Sequence, residues 1–129
     1  MKELTKAEEQ VMQVLWTLGK AFVKDIVEKM PNQPAYNTVS TIVRILETKG
    51  FIDHKAYGKT HEYFPVVSRQ TYTQFYLNNM VKGYFNGSIT SLVSFFAKEN
   101  SLKTHELEEL MKKLEEIRKR GDEGTKGRK

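Results

Sequence analysis

The chain has 129 residues, of which 39% are hydrophobic, and it carries a formal net charge of +5. This length allows one compact core, or a small domain with an oligomerisation arm. Because the chain has no cysteine, disulfides, thiolate nucleophiles and cysteine-based metal sites are excluded. No apolar run approaches the roughly 20 residues of a membrane span, and the charged start MKELTKAEEQ is unlike a secretory signal. We therefore expect a cytoplasmic protein.

The excess of positive charge lies at the C-terminal end. Residues 1–65 carry 9 Lys or Arg against 8 Asp or Glu, residues 66–117 carry 6 against 6, and residues 118–129 carry 6 against 2. The last segment, RKRGDEGTKGRK, predicts a basic, disordered tail. Total charge is thus weak support for a nucleic-acid partner, and the placement of individual side chains must decide.

The first half of the sequence predicts three helices. Thr5 and Glu8 have the spacing of a capping box, Pro31 stops the second helix, and Gly50 follows the third as a C-terminal glycine. The predicted elements are, in order, a helix from Thr5 to Gly19, a very short strand at 21–22, a helix over 23–30 and a helix over about 36–49.

A hairpin follows the third helix. The segment FIDHKAYGKTHEYFPV predicts a strand over 51–56, a turn at Tyr57-Gly58-Lys59 and a strand over 60–65, with Pro65 at the end of an edge strand. Three helices followed by a two-stranded hairpin predict a winged helix-turn-helix, and we place this domain at residues 1–67. The predicted fold class is mainly α with a small β-hairpin.

Residues 68–117 predict three more helices, which begin near Ser68, near Asn86 or Ser88, and at Thr104. These helices total roughly 50 residues and are marginal as an isolated core. They could fold back on the first domain, or pair with a second copy of the chain, and we favour a dimerisation domain because two-fold dimers are the commonest assembly. Its predicted contact residues are Tyr72, Phe75, Tyr76, Met80, Ile89, Leu92, Val93, Phe96, Leu107, Leu110, Met111 and Leu114.

The third helix has an unusual outer face. Short hydrogen-bonding side chains are poor helix formers, yet this face carries Asn37, Thr38, Ser40, Thr41 and Arg44. Such side chains can reach base edges or phosphates in the major groove, where a recognition helix lies. In the alternative interpretation Asn37 and Thr38 only cap the helix and the others are neutral surface. The hairpin that follows the third helix favours the first interpretation, in which this face binds DNA.

The hairpin itself offers Lys55, Lys59 and His61 as candidate DNA contacts. Lysines at a hairpin tip commonly touch phosphates, which is a salt-sensitive and sequence-independent contribution. Alternatively, they keep a strand edge soluble. The histidines, His54, His61 and His105, form no pair with metal-ligand spacing on a helix, so no metal site is predicted. Without a P-loop, GxSxG or GxGxxG motif, the sequence predicts no cofactor and no enzymatic activity.

Three blocks of sequence carry a family resemblance: LTKAEEQVMQVLW near the start, AYNTVSTIVRILETKGFIDHK in the middle and SLVSFFAKENSLKTHELEEL near the end. On these blocks the chain resembles the penicillinase and methicillin-resistance repressors of the BlaI, MecI and CopY type, and the resemblance spans roughly residues 3–117. The resemblance implies a homodimer that binds a palindromic operator in double-stranded DNA and represses transcription. It implies that the third helix reads the major groove, through Tyr36, Asn37, Thr38, Ser40, Thr41 and Arg44.

The resemblance also bears on induction. In β-lactam-responsive members, cleavage at an Asn-Phe bond lifts repression, which implies a membrane sensor protease or its effector as a partner. The matching stretch, SFFAKENSL, places this bond between Phe95 and Phe96, and Phe stands at position 95 where the family has Asn. Copper-responsive members carry a C-terminal cysteine cluster, which this chain lacks.

Two functions are therefore weighed. The first is a dimeric winged-helix repressor. The second is a winged-helix module whose third helix and wing hold a protein instead of DNA, and the near-neutral charge of residues 1–65 is its main support.

Overall fold

The computed structural model describes residues 1–99 and 103–126, and it describes the side chains of these residues up to Glu116, except that of Leu114. The elements in chain order are α1 (Lys6–Leu18), β1 (Ala21–Phe22), α2 (Val23–Lys29), α3 (Tyr36–Thr48), β2 (Ile52–Tyr57), β3 (Thr60–Pro65), α4 (Arg69–Phe85), α5 (Ile89–Glu99) and α6 (Thr104–Lys126). The chain forms two compact units, Met1–Asn79 and Met80–Lys129, and α4 contributes to both. The functional division predicted after residue 67 stays a prediction.

Helix α1 begins with the predicted capping box. The Thr5 amide donates to Glu8 Oε1 at 2.8 Å, and the Glu8 amide donates to Thr5 Oγ1 at 3.2 Å. The apolar face of the helix then packs into the core through Val11, Met12, Val14 and Leu15. The capping box thus gives hydrogen-bond partners to the Thr5 and Glu8 amides, which the helix itself cannot pair. These two residues therefore mark the start of α1.

Helix α3 ends in a Schellman motif, as the glycine at position 50 predicts. Gly50 has a φ of +84°, a conformation that residues with a Cβ rarely adopt. The Gly50 amide donates to the Glu47 carbonyl at 3.0 Å, and the Phe51 amide donates to the Leu46 carbonyl at 3.0 Å. The chain therefore reverses directly from α3 into β2.

The hairpin is part of a three-stranded antiparallel sheet with the order β1-β3-β2. Strand β1 pairs with β3 through Ala21↔Tyr63, so the predicted short strand is confirmed. Strand β3 is therefore central, not an edge strand. Pro65 nevertheless fits, because it lies beyond the residues that pair with β1 and faces only Ile52 of β2.

The first turns of α4 belong to the core of the first unit. Tyr72 is 4% exposed, its hydroxyl accepts a hydrogen bond from the Leu4 amide at 2.8 Å, and its ring lies 5.8 Å from that of Phe51. Trp16 Nε1 donates to the Val67 carbonyl at 2.8 Å. The sequence assigns Tyr72 to the dimerisation surface, and this is corrected, because its side chain is buried in its own chain.

In the second unit, α5 begins after Ser88, whose Oγ accepts a hydrogen bond from the Ser91 amide at 3.1 Å. The rings of Phe85 and Phe95 lie 5.7 Å apart. The prediction of a disordered tail from residue 118 stays a prediction, and helix α6 is described as far as Lys126. Its many Glu, Lys and Arg residues are good helix formers, and residues 127–129 lie outside the described part. None of the described helices combines the length and apolar character that crossing a membrane requires.

Candidate nucleic-acid interface

The two faces of α3 differ sharply in burial. Val39, Val43 and Leu46 are each 0% exposed and hold the helix against the core. The predicted contact residues lie on the opposite side, where Ser40 is half-buried and the exposed residues are Tyr36, Asn37, Thr38, Thr41 and Arg44. The structure thus places the predicted contact residues of α3 away from the buried side of the helix.

The capping interpretation of Asn37 and Thr38 is wrong. The residue at the N-terminal cap of α3 is Ala35, and its side chain forms no capping hydrogen bond. Asn37 and Thr38 lie inside the first helical turn, with exposed side chains. Since local capping does not explain these side chains, they are available to an external ligand at the positive end of the helix dipole.

Further along the same face, Thr41 Oγ1 donates to the Asn37 carbonyl at 3.0 Å. This bond uses the hydroxyl proton within the helix and leaves the oxygen as an acceptor. Arg44 is exposed, and no carboxylate forms a salt bridge with it among the described side chains. Its five N–H donors can therefore be offered to a base or a phosphate.

Sequence reasoning missed Ile45. Its side chain is 42% exposed, on the same side of α3 as Thr41, four residues earlier. An exposed apolar side chain beside polar ones suits contact with the methyl group of thymine. The signal was present in the sequence, because Thr38, Thr41 and Ile45 follow the i, i+3, i+7 spacing of one helical face.

The strand pairing separates the wing side chains into two groups. His54, His61 and Tyr63 share the face that turns toward α3, where His54 Nδ1 contacts Glu47 Oε2. Burial raises the pKa of the Tyr63 phenol, and the nearby Glu47 carboxylate adds to this effect. His61 therefore lies on the side of the hairpin that faces the predicted recognition surface.

Lys55 lies on the other face of the hairpin, with its Nζ 5.3 Å from the centre of the Tyr57 ring. Lys59 occupies the exposed two-residue turn with Gly58, whose φ is +63°. A glycine with positive φ at the first central position is typical of a tight hairpin turn. The structure thus places Lys59 at the tip, and it separates Lys55 from His61.

The predicted dimerisation residues other than Tyr72 remain at least partly exposed where they are described. Leu114, also in this set, has a side chain outside the described part. Phe75, Met80, Leu92, Val93, Leu107 and Leu110 are half-buried, and Tyr76, Ile89, Phe96 and Met111 are exposed. Phe95 and Phe96, the candidate cleavage pair, are 56% and 49% exposed and lie within α5.

The β2–β3 wing follows helices α2 and α3, and the core leaves one polar face of α3 free. This arrangement defines a winged-helix DNA-binding protein. The sequence model of the penicillinase repressor family matches residues 4–116. The chain therefore belongs to the penicillinase repressor family.

Relatives in this family cover most of the chain. The methicillin resistance regulatory protein MecI of Staphylococcus aureus strain N315 is 30% identical over 110 residues, which are 84% of this chain and 89% of MecI. The penicillinase repressor of Bacillus licheniformis is 24% identical over 123 residues, which are 94% of this chain and 96% of that protein.

Two solved structures are similar over about half of the chain. The DNA-binding domain of the repressor BlaI is 23% identical, with a TM-score of 0.48, covering 56% of this chain and 94% of that domain. The CopR repressor is 30% identical, with a TM-score of 0.43, covering 50% of this chain and 97% of that one.

Family membership decides between the two functions considered from the sequence. The protein is a DNA-binding transcriptional repressor, not a protein-interaction module. Its family consists of transcriptional repressors, which are not enzymes.

Proposed function

We propose that this repressor binds a palindromic operator as a homodimer and that α3 of each copy reads the major groove of one half-site. The observation that carries the proposal is the exposed first turn of α3, where Asn37 and Thr38 lie without a capping role. A recognition helix presents its N-terminal residues to base edges.

The side chains of α3 fit distinct parts of a DNA groove. Asn37 can form two hydrogen bonds with adenine, and Arg44 can form two with guanine. Thr38 and Thr41 suit bases or phosphates, and Ile45 suits a thymine methyl group. Lys59 at the wing tip and His61 on the side facing α3 suit the phosphates that flank the groove.

The dimer is supported by apolar side chains that the chain leaves exposed in its second unit. Ile89, Phe96 and Met111 are 59%, 49% and 52% exposed. Burying such side chains against a second copy removes apolar area from water, which favours association. A two-fold dimer also presents two copies of α3 to a palindromic site.

Footprinting of the purified protein on fragments of its own genome tests the operator proposal. We expect a protected palindrome whose half-sites lie about one helical turn, roughly 10 base pairs, or a multiple apart. Binding should weaken steeply as salt rises, because phosphate contacts release counterions. Uniform, salt-labile binding without a preferred site would sink the operator proposal.

Light scattering of the double variant Leu107→Asp, Leu110→Asp tests the dimer proposal. Two carboxylates on the half-buried stripe of α6 should give a monomer at micromolar protein and reduce operator binding. The matched control is His105→Asp, which adds a carboxylate to the exposed first turn of α6. Two results would contradict the two-half-site mechanism. One is a monomer mass for the wild type, and the other is full operator affinity for the monomeric double variant.

For the release of repression, the candidate is proteolysis between Phe95 and Phe96. The resemblance to β-lactam-responsive members and the exposure of Phe95 support it. Because both residues lie within α5, that helix must open before a protease can bind an extended segment. Intact-mass analysis of protein from β-lactam-treated cells should find a fragment that ends at Phe95. Full-length protein in derepressed cells would exclude this route.

A further inference from the structure

Three potential metal ligands converge where α3 meets the wing. Glu47 lies in the last turn of α3, and Asp53 and His54 are consecutive residues of β2. One ligand atom from each of the three side chains lies within 4.8 Å of the other two. Glu47 and His54 have side chains that are each 29% exposed, so the cluster is open to solvent but not fully solvated.

The cluster is held in place by contacts on several sides. His54 Nδ1 contacts Glu47 Oε2. Asp53 Oδ1 accepts a hydrogen bond from the His54 backbone amide at 2.7 Å, which holds that carboxylate against the backbone of the next residue. The His61 ring stacks on the His54 ring, with centroids 4.1 Å apart and planes 8° apart. The His54 ring is therefore packed against a second imidazole.

We propose that Glu47, Asp53 and His54 form a binding site for a divalent transition-metal ion such as Zn²⁺. Two carboxylates and one imidazole are ligands that Zn²⁺ accepts, with bonds of about 2.0–2.2 Å. Ligand atoms around a tetrahedral ion lie about 3.4 Å apart, so the three side chains must rotate to bring their ligand atoms closer together when an ion binds. The ion would take the place of the direct contact between His54 Nδ1 and Glu47 Oε2, and water would take the remaining position.

The position of the site gives it a structural consequence. Glu47 belongs to α3 and the other two ligands belong to the wing, so a bound ion joins these two elements directly. Histidine spacing alone does not indicate such a site, because the Schellman turn at Gly50 is what brings Glu47 next to β2.

Isothermal titration of the tag-free full-length protein with Zn²⁺ tests the site. We expect one saturable equivalent per chain for the wild type, and binding at least about tenfold weaker for His54→Gln and for Asp53→Asn. The matched control is His105→Gln, which removes a histidine on α6 and should bind Zn²⁺ like the wild type. Mg²⁺, which prefers oxygen ligands, should not show the dependence on His54.

A thermal melt of each variant without metal checks that it is folded. Asp53→Asn keeps the test decisive if His54→Gln disturbs the hairpin, because Asp53 is exposed. Added Zn²⁺ should also raise the melting temperature of the wild type and of His105→Gln, since a ligand that binds the folded state stabilises it. Wild-type affinity in both site variants, or no saturable binding by the wild type, overturns the proposal.

Discussion

Lys49 Nζ lies 2.8 Å from Glu8 Oε2 and 2.9 Å from Glu8 Oε1, and this ion pair joins the end of α3 to the first turn of α1. Glu8 is 4% exposed. Burial by itself raises the pKa of its carboxyl, but hydrogen bonds from Lys49 and Thr5 outweigh that effect, so the pKa of Glu8 lies below its ordinary value. The pair stabilises the contact between α1 and α3. It also holds the ammonium group of Lys49, near the candidate DNA surface, against Glu8.

Replacing Lys49 should therefore destabilise the fold in a pH-dependent way. Lys49→Met leaves the Glu8 carboxylate buried without its partner, and we expect a loss of about 1–3 kcal/mol near neutral pH, moderated because Lys49 is partly exposed. Because the pKa of Glu8 is lowered in the folded state, its contribution is complete above the unfolded pKa and is lost as the pH falls through the folded pKa. The difference between variant and wild type should shrink in acid.

Urea denaturation at about pH 7 and about pH 3 measures this difference on either side of the ordinary glutamate pKa. Lys20→Met is the matched control, since Lys20 is exposed and forms no salt bridge with any described side chain. Equal stability losses for Lys49→Met at both pH values would show that the ion pair is not their source.

Substitutions on α3 should weaken binding to the operator more than they weaken binding to random DNA. Arg44→Ala and Ile45→Ser each remove one proposed base contact, and each should weaken operator binding by about 1–3 kcal/mol. Mobility-shift assays on operator DNA and on scrambled DNA give two affinities, and the ratio of these affinities measures specificity. Equal weakening on both DNAs would assign these side chains to phosphates instead of bases.

The two wing lysines should differ in their effects. Lys59→Ala removes a charge at the exposed turn, and it should weaken binding to all sequences and reduce the salt slope by about 1. Lys55→Ala should have a smaller effect, because Lys55 lies over the Tyr57 ring on the face of the hairpin away from α3. Affinities measured across a series of salt concentrations distinguish the two variants. A larger effect for Lys55→Ala than for Lys59→Ala would place the DNA on the opposite face of the wing.

A fragment that ends at Asn79 should be more stable than one that ends at Val67. The shorter fragment loses Tyr72, whose ring covers Phe51 and whose hydroxyl bonds the Leu4 amide. Losing a buried aromatic side chain from a core typically costs about 3–5 kcal/mol. Chemical denaturation of the two fragments tests this, and equal midpoints would mean that α4 adds nothing to the first unit.

Local signals in the sequence predicted most of the elements. The capping box at Thr5, the glycine at position 50 and the apolar spacing of Val39 and Val43 each act within a few residues, so they can be read without the fold. The burial of Tyr72 could not be predicted this way, because an apolar position on a helix does not say which surface it meets.

Contacts between distant residues account for what was missed at the candidate site. Glu47 and His54 meet only after the chain reverses at the end of α3, and the separation of Lys55 from His61 depends on strand register. The exposure of Ile45 follows from which side of α3 packs on the core. Each of these facts needs the assembled fold, not the sequence pattern alone.

Phe51 joins several elements through its backbone N–H and C=O groups. Its amide donates to Leu46 at the end of α3, and its carbonyl accepts from Val66 and Val67 beyond the wing at 2.8 and 3.2 Å. The C-terminal end of α3 and the base of the wing are therefore joined at a single residue. In hydrogen–deuterium exchange, the amides of Phe51 and Val66 should show the same free energy of opening, as one cooperative unit.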